Sequence, residues 1–219
     1  MFDFNPDYRV MNRFQRKRAV TKYSGKELKS DYDFKYLRSW VSASQTSNFG
    51  EISRYARKTT KSDEFQSKSD EQLEKICNEI SSELKHFPNH IGKCYRVIFS
   101  QDNNYEERIK KGDFVIEKSF LAASIYRGDG ISTWGSKTRH PMQGYCLHFI
   151  IESLTGKPIF LGKTLNSKEK EILFNRNTIF KIKEVKKVKE SFFIYMEESG
   201  LSSSNTKVKD IFTGNNVDI

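Results

Sequence analysis

Leu73, Ile76, Ile80 and Leu84 recur at three- and four-residue steps, a period that predicts a helix over about 70–86. Ser69 or Asp70 stands where a cap is needed, and Pro88 ends the helix. Upstream, Leu28, Tyr32, Tyr36, Leu37 and Trp40 share one face of a predicted helix over 26–41. Between the two, residues 42–70 are rich in Ser, Thr, Lys and Asn, which predicts short helical pieces and loops. After Pro88 the period changes. Extended runs cover Cys94 to Ser100, Phe114 to Ser124 and Gly144 to Ser153, the last with Leu147, Phe149 and Ile151 alternating. A short strand is expected at Ile159 to Phe160 and another at Glu171 to Phe174. Ile179 to Val185 and Ser191 to Glu197 read as a hairpin, with the lysines between them suited to a solvated turn. Helices first and strands afterwards point to an α+β domain whose strands pair mainly antiparallel.

Three segments fall outside these patterns. Residues 1–20 form a basic lead-in, and the stretch from Arg9 to Arg38 holds ten basic and three acidic residues. Tyr126 to Gly144 is Gly-, Ser- and Thr-rich and reads as a long loop, a length that in a compact domain usually serves function. The chain after Gly200 is polar and is expected to be loose. The organisation predicted is a lead-in over 1–20, one domain over 21–200 and a tail over 201–219.

Composition narrows the classes. Hydrophobic residues make up only 36%, yet seventeen Phe and ten Tyr supply enough bulk for a packed core, which excludes a disordered chain. Cys77, Cys94 and Cys146 are odd in number and none stands at metal-ligand spacing, so free thiols are expected and a disulfide scaffold is not. No apolar run reaches the roughly 20 residues of a membrane span, and no signal peptide is visible after Met1. His86, His90, His140 and His148 are scattered, and His148 on a strand reads as structural; no metal is expected. A net charge of +10 suits an anionic partner: nucleic acid, a membrane surface, an acidic protein face or a phosphate-rich ligand.

Three places carry candidate chemistry. Glu169 and Glu171 flank Lys170 ahead of Ile172, Leu173 and Phe174; on an extended segment both carboxylates would face one side. Such a pair can divide tasks, one stabilising positive charge and the other taking a proton. The plainer reading is a charged turn. Arg96 interrupts the apolar run Tyr95 to Phe99, where a guanidinium needs an anionic partner, unless it sits outward on a half-exposed strand. Ser124 ends Phe120-Leu121-Ala122-Ala123-Ser124, a position otherwise typical of a turn residue.

Taken in order, these stretches resemble the arginine–serine–glutamate clade of mono-ADP-ribosyltransferases, over roughly residues 20–197. Tyr23-Ser24-Gly25 and Tyr36-Leu37-Arg38 resemble the family's opening helix, Tyr95-Arg96 its strand arginine, and Phe120 to Ser124 its Ser-Thr-Ser strand end. Gly156-Lys157-Pro158-Ile159, Glu169 to Phe174 and Thr178 to Ile182 resemble its C-terminal signature, the most specific part. The resemblance implies N-terminal helices packed on two mainly antiparallel sheets around a cleft for NAD, used as co-substrate without a metal. It implies that Arg96 holds the NAD pyrophosphate. Glu171 would then bond the nicotinamide ribose and stabilise an oxocarbenium-like transition state, while Glu169 activates an acceptor arginine on a target protein. It further implies that Ser124 orders the nicotinamide pocket, that Arg127 makes a second phosphate contact, and that Tyr126 or Trp134 lies near the nicotinamide. The turn from Leu161 to Lys168 would face the target.

One departure stands out: the family's first serine is Ala122 here, and a methyl cannot bond the catalytic glutamate. It keeps open an inactive interaction protein on the same fold. A nucleic-acid module built on Arg9 to Arg38 is the other alternative, with no helix-turn-helix, zinc or aromatic-platform signature behind it. The expected setting is a monomeric bacterial toxin or effector, secreted or injected into a host cell without a signal peptide, with membrane contact through the basic N-terminus.

Overall fold

A computed structural model describes residues 34–41, 48–57, 68–100, 104–125, 145–161, 170–200 and 206–218. The lead-in over 1–20 and the loop over 126–144 lie outside the described residues. Helix α1 is Lys35–Val41, α2 is Asn48–Arg57, α3 is Asp70–Leu84 and α4 is the single turn Tyr105–Arg108. The strands are β1 Gly92–Ser100, β2 Phe114–Glu117, β3 Leu121–Ser124, β4 Tyr145–Ser153, β5 Lys157–Pro158 and β6 Glu171–Phe174. They continue as β7 Thr178–Val188, β8 Ser191–Glu198, β9 Val208–Asp210 and β10 Asn216–Val217.

Helix α3 follows its sequence period closely. Leu73, Cys77, Ile80 and Leu84 are buried, and Ser69 closes a capping box in which its side chain accepts from Gln72 N–H while Gln72 bonds back to Ser69 N–H. The helix stops at Leu84, ahead of Pro88. Residues 118–120 interrupt the expected single strand over 114–124. The Glu117 carboxylate captures the Ser119 N–H at 2.8 Å, and the chain turns a corner there. The strand expected at 159–160 is instead Lys157–Pro158, followed by a 3-10 turn at Ile159–Leu161. Lys186 and Lys187 belong to β7 and not to the turn; Lys189, with φ +52°, makes the turn. The tail is not loose at 206–218: β9 pairs parallel with β2, and Val208 and Ile211 are buried.

Among the described residues the strands form one ten-stranded sheet, not two, in the order β10-β9-β2-β7-β8-β4-β1-β3-β6-β5. Pairing is antiparallel except between β2 and β9 and between β4 and β8. The continuity is thin at one place. β1 pairs with β4 through all nine residues, but with β3 only through Tyr95 and Ser124. The sheet is therefore two wings, β10 to β1 and β3-β6-β5, hinged on one residue pair. A core between the wings joins Phe149, Phe180, Phe192 and Ile194 to Leu121, Ala123, Ile172 and Phe174. A second core packs α1, α2 and α3 on the other face of the small wing, where Leu37, Trp40, Ile52 and Ile80 meet Phe120, Ile159 and Leu173. Burial of these two apolar faces, at roughly 25 cal/mol per Å2, is what holds the wings and helices together. The free thiols Cys77 and Cys94 are buried, and burial pushes both above the ordinary thiol range, Cys77 to about 11.

Candidate functional site

The hinge between the wings gathers three of the sequence candidates. Ser124, the last residue of β3, stands opposite Tyr95 of β1 on one side and opposite Glu171 of β6 on the other. Directly opposed residues of antiparallel strands point to the same face, with Cβ atoms about 4.5–5.5 Å apart. Tyr95, Ser124 and Glu171 thus form one row across three strands. Ser124 is 7% exposed, and Glu171 is half-buried at the mouth of the small wing.

Arg96 reaches the hinge differently. Strand alternation starts it on the opposite face, with Cys94 and Ile98, above the core between the wings. Its guanidinium comes back into the gap where β1 and β3 have parted, and Nη1 donates to the Ala122 carbonyl at 2.6 Å. The Nε is enclosed and has no hydrogen-bond partner among the described residues. Burial lowers the pKa of Arg96, opposed by the carboxylates of Glu117 and Glu171, while Arg57 adds to the lowering. The Arg96 charge is therefore within electrostatic reach of Glu171, although the two side chains leave their strands on opposite faces. An enclosed N–H with no acceptor among the described residues is a donor suited to an anionic ligand.

The entry to β6 departs from the extended segment read from the sequence. Lys170 has φ +46°, in the left-handed region, and its carbonyl accepts from Ile125 N–H at 3.2 Å. A left-handed residue with a side chain costs about 1–2 kcal/mol and marks a backbone forced into place by its surroundings. Lys170 is thus not extended, and the expected shared face of Glu169 and Glu171 involves a residue outside the described ones. Glu169 and Arg127 themselves lie outside the described residues, as do Tyr126, Trp134 and residues 162–168. Lys170 holds its ammonium 5.2 Å above the Phe160 ring, so the turn rests on the 3-10 segment after β5.

His148 stacks flat on Phe193, with ring centroids 4.7 Å apart, in keeping with a structural role. Two residues escaped the sequence reading. Glu117, at the end of β2, is 1% exposed and takes a bidentate contact from Arg57 of α2, with both distances 2.9 Å. The signal was present: Glu117 follows the apolar run Phe114-Val115-Ile116, as Arg96 interrupts its own.

No family model matches the sequence, and no curated protein does. Solved structures do. Vis, an ADP-ribosyltransferase toxin from Vibrio splendidus, superposes with a TM-score of 0.70 at 18% identity, over 95% of this chain and 96% of that one. XopAI, a type III effector from Xanthomonas axonopodis pv. citri, gives 0.56 at 18% identity over 84% and 71%. Exoenzyme S from Pseudomonas aeruginosa, solved with human 14-3-3 protein beta and carba-NAD, gives 0.55 at 14% over 90% and 89%. The chain has the fold these proteins share.

Proposed function

We propose that this chain, built on the ADP-ribosyltransferase fold, transfers ADP-ribose from NAD to an arginine side chain of a target protein. The observation that carries the reading is the hinge row: Glu171 beside Ser124, with the Arg96 guanidinium turned into the same gap. Arg96 would hold the NAD diphosphate through its enclosed Nε. Glu171 would face the nicotinamide ribose and stabilise positive charge as the glycosidic C–N bond breaks and nicotinamide leaves neutral. A guanidine nitrogen of the acceptor then forms the new C–N bond and loses a proton, for which Glu169 is the proposed base. Arg127 is proposed as a second phosphate contact. Support for a guanidine acceptor comes from Vis, which has been solved with agmatine, a guanidine-bearing amine. The toxins and effectors among the neighbours support delivery to another cell as the setting.

The test is incubation with labelled NAD and a host-cell lysate, followed by mass spectrometry of modified residues. Label is expected on arginines, and Glu171→Gln is expected to lower transfer at least about 100-fold with an unchanged melting temperature, as loss of a charge-stabilising group does. Label confined to other residue types would remove the arginine assignment. Full transfer by Glu171→Gln would remove the catalytic one.

A further inference from the structure

The hinge row continues onto the long strands. Ile125 N–H bonds the Lys170 carbonyl, so Ser124 and Glu171 form the close, non-hydrogen-bonded kind of antiparallel pair, and Ser124 turns its own backbone groups toward Tyr95. From Glu171 to Tyr95 the row spans about 10 Å between Cα atoms. Beyond Tyr95 the same face, turned away from the core between the wings, is apolar. Ile150 of β4 stands opposite Tyr95, and Val97, His148 and Phe193 make the next row, with the last two rings stacked 9° from parallel. With Tyr95, these residues line a small recess. Ile150 is 8% exposed and Phe193 3%, whereas Tyr95 is half-buried, at the side where the recess meets the hinge row.

We infer that Tyr95 is a binding residue for NAD: its ring is the wall against which the nicotinamide lies while Glu171 and Ser124 meet the ribose. The inference deepens the proposed reading and rests on it. Charge sorts the two ends of the nicotinamide nucleotide around Glu171. The nicotinamide ring of NAD is cationic and the diphosphate is anionic. Arg96, whose guanidinium enters the gap between β1 and β3, attracts the diphosphate and repels the pyridinium. The other neighbour along the row is aromatic, with apolar side chains behind it. A flat cation gains twice there, from burial of its ring and from the electron-rich face of a phenol. One bond joins the ribose C1′ to the ring, so a ribose at Glu171 puts the ring at the next place along the row. As that bond breaks the nicotinamide becomes neutral, and the attraction of the phenol for its charge fades. Tyr95 therefore sets affinity and selects an aromatic, cationic base, whereas rate rests with Glu171.

The experiment uses the full chain and two probes: carba-NAD, which keeps the pyridinium and resists cleavage, and ADP-ribose, which lacks the pyridinium. Protein labelled in its tyrosine rings is titrated and followed by NMR, with the Tyr95 signal assigned by its loss in Tyr95→Phe. Carba-NAD is expected to shift that signal and ADP-ribose to move it far less. Tyr95→Leu is expected to weaken carba-NAD about tenfold and ADP-ribose less than about twofold, while Tyr95→Phe, which keeps the ring, stays close to the wild type with both. In turnover, Tyr95→Leu should raise the KM for NAD about tenfold with kcat within about threefold. A scaffold role for Tyr95 would weaken both probes alike; that result, or a Tyr95 signal indifferent to carba-NAD, overturns the inference. If Tyr95→Leu does not fold, the wild-type titration still decides. A wild-type chain that binds no carba-NAD and turns over no NAD removes the functional reading and the wall with it. A chain that turns over NAD equally well as wild type and as Tyr95→Leu removes the wall alone.

Discussion

Ser124 and Ala122 lie on the same face of β3, yet they meet different neighbours. Ser124 opposes Glu171, whereas Ala122 opposes Leu173 and packs beside the helical core. The hydroxyl placed opposite Glu171 is therefore that of Ser124, and position 122 falls on an apolar spot. On the proposed reading, in which Ser124 bonds Glu171, Ser124→Ala is expected to lower NAD turnover about tenfold, the size of one hydrogen bond to a charged group. Ala122→Ser should bring no gain and destabilise the fold by about 1 kcal/mol, because it buries a hydroxyl against Leu173. Turnover assays and thermal melts of the two variants read both effects, and a gain of activity in Ala122→Ser would show that the pairing misassigns the serine. At this scale Arg96 was legible because a charge inside an apolar run has nowhere to go without a partner. Glu117 carries the same signal at the end of its run, where a charge reads as a mere strand boundary. The kink at Lys170 left no trace in the sequence, since no glycine marks its positive φ.

Elements with a strong period were readable and short ones were not. Helix α3 shows its buried face in the spacing of Leu73, Ile80 and Leu84, and β4 shows its own in Leu147, Phe149 and Ile151. Strands β9 and β10 bring only three and two residues and owe their existence to the open edge of β2, a tertiary partner that no local pattern encodes. The corner between β2 and β3 was hidden for a related reason: one side chain bonding one N–H breaks a run whose residue types favour extension throughout. Gly156 shows how tightly the elements around the small wing meet. A Cβ there would come within 2.7 Å of Ile172 Cγ2 and of Ser153 Oγ, between the end of β4 and the start of β6. Gly156→Ala is expected to cost about 1–3 kcal/mol, the usual penalty for overpacking, and chemical denaturation would measure it. A neutral result would mean that β5 moves aside without resistance.

The molecule as a whole depends on ties between the helical layer and the wings, because the sheet itself is joined at one residue pair. Glu83 receives the backbone N–H groups of Tyr36 and Leu37, which fastens α1 to α3. Arg176, in the turn between β6 and β7, grips Glu74 of α3 through two bonds of 2.8 and 2.6 Å and also reaches Asn78. Tyr55 of α2 donates to the same carboxylate at 3.0 Å, so three elements meet at Glu74. The hydrogen bonds from Arg176, foremost, and from Tyr55 pull the Glu74 pKa from its ordinary 4.5 to about 2, against the opposing effect of burial. A carboxyl depressed in the folded state stabilises the fold above its unfolded pKa and loses that contribution as the pH falls toward its folded pKa. The window here runs from about pH 4.5 down to about pH 2. The Glu74 side chain is 41% exposed, so water screens the pair and its worth is about 1 kcal/mol at most, well short of what the shift alone would suggest. Unfolding free energy measured between pH 5 and 2.5 should therefore fall more steeply in the wild type than in Glu74→Gln, and the two curves should converge at the acid end. Parallel curves would mean that Glu74 carries no differential proton binding, and that α3 is held to the small wing by its apolar face alone.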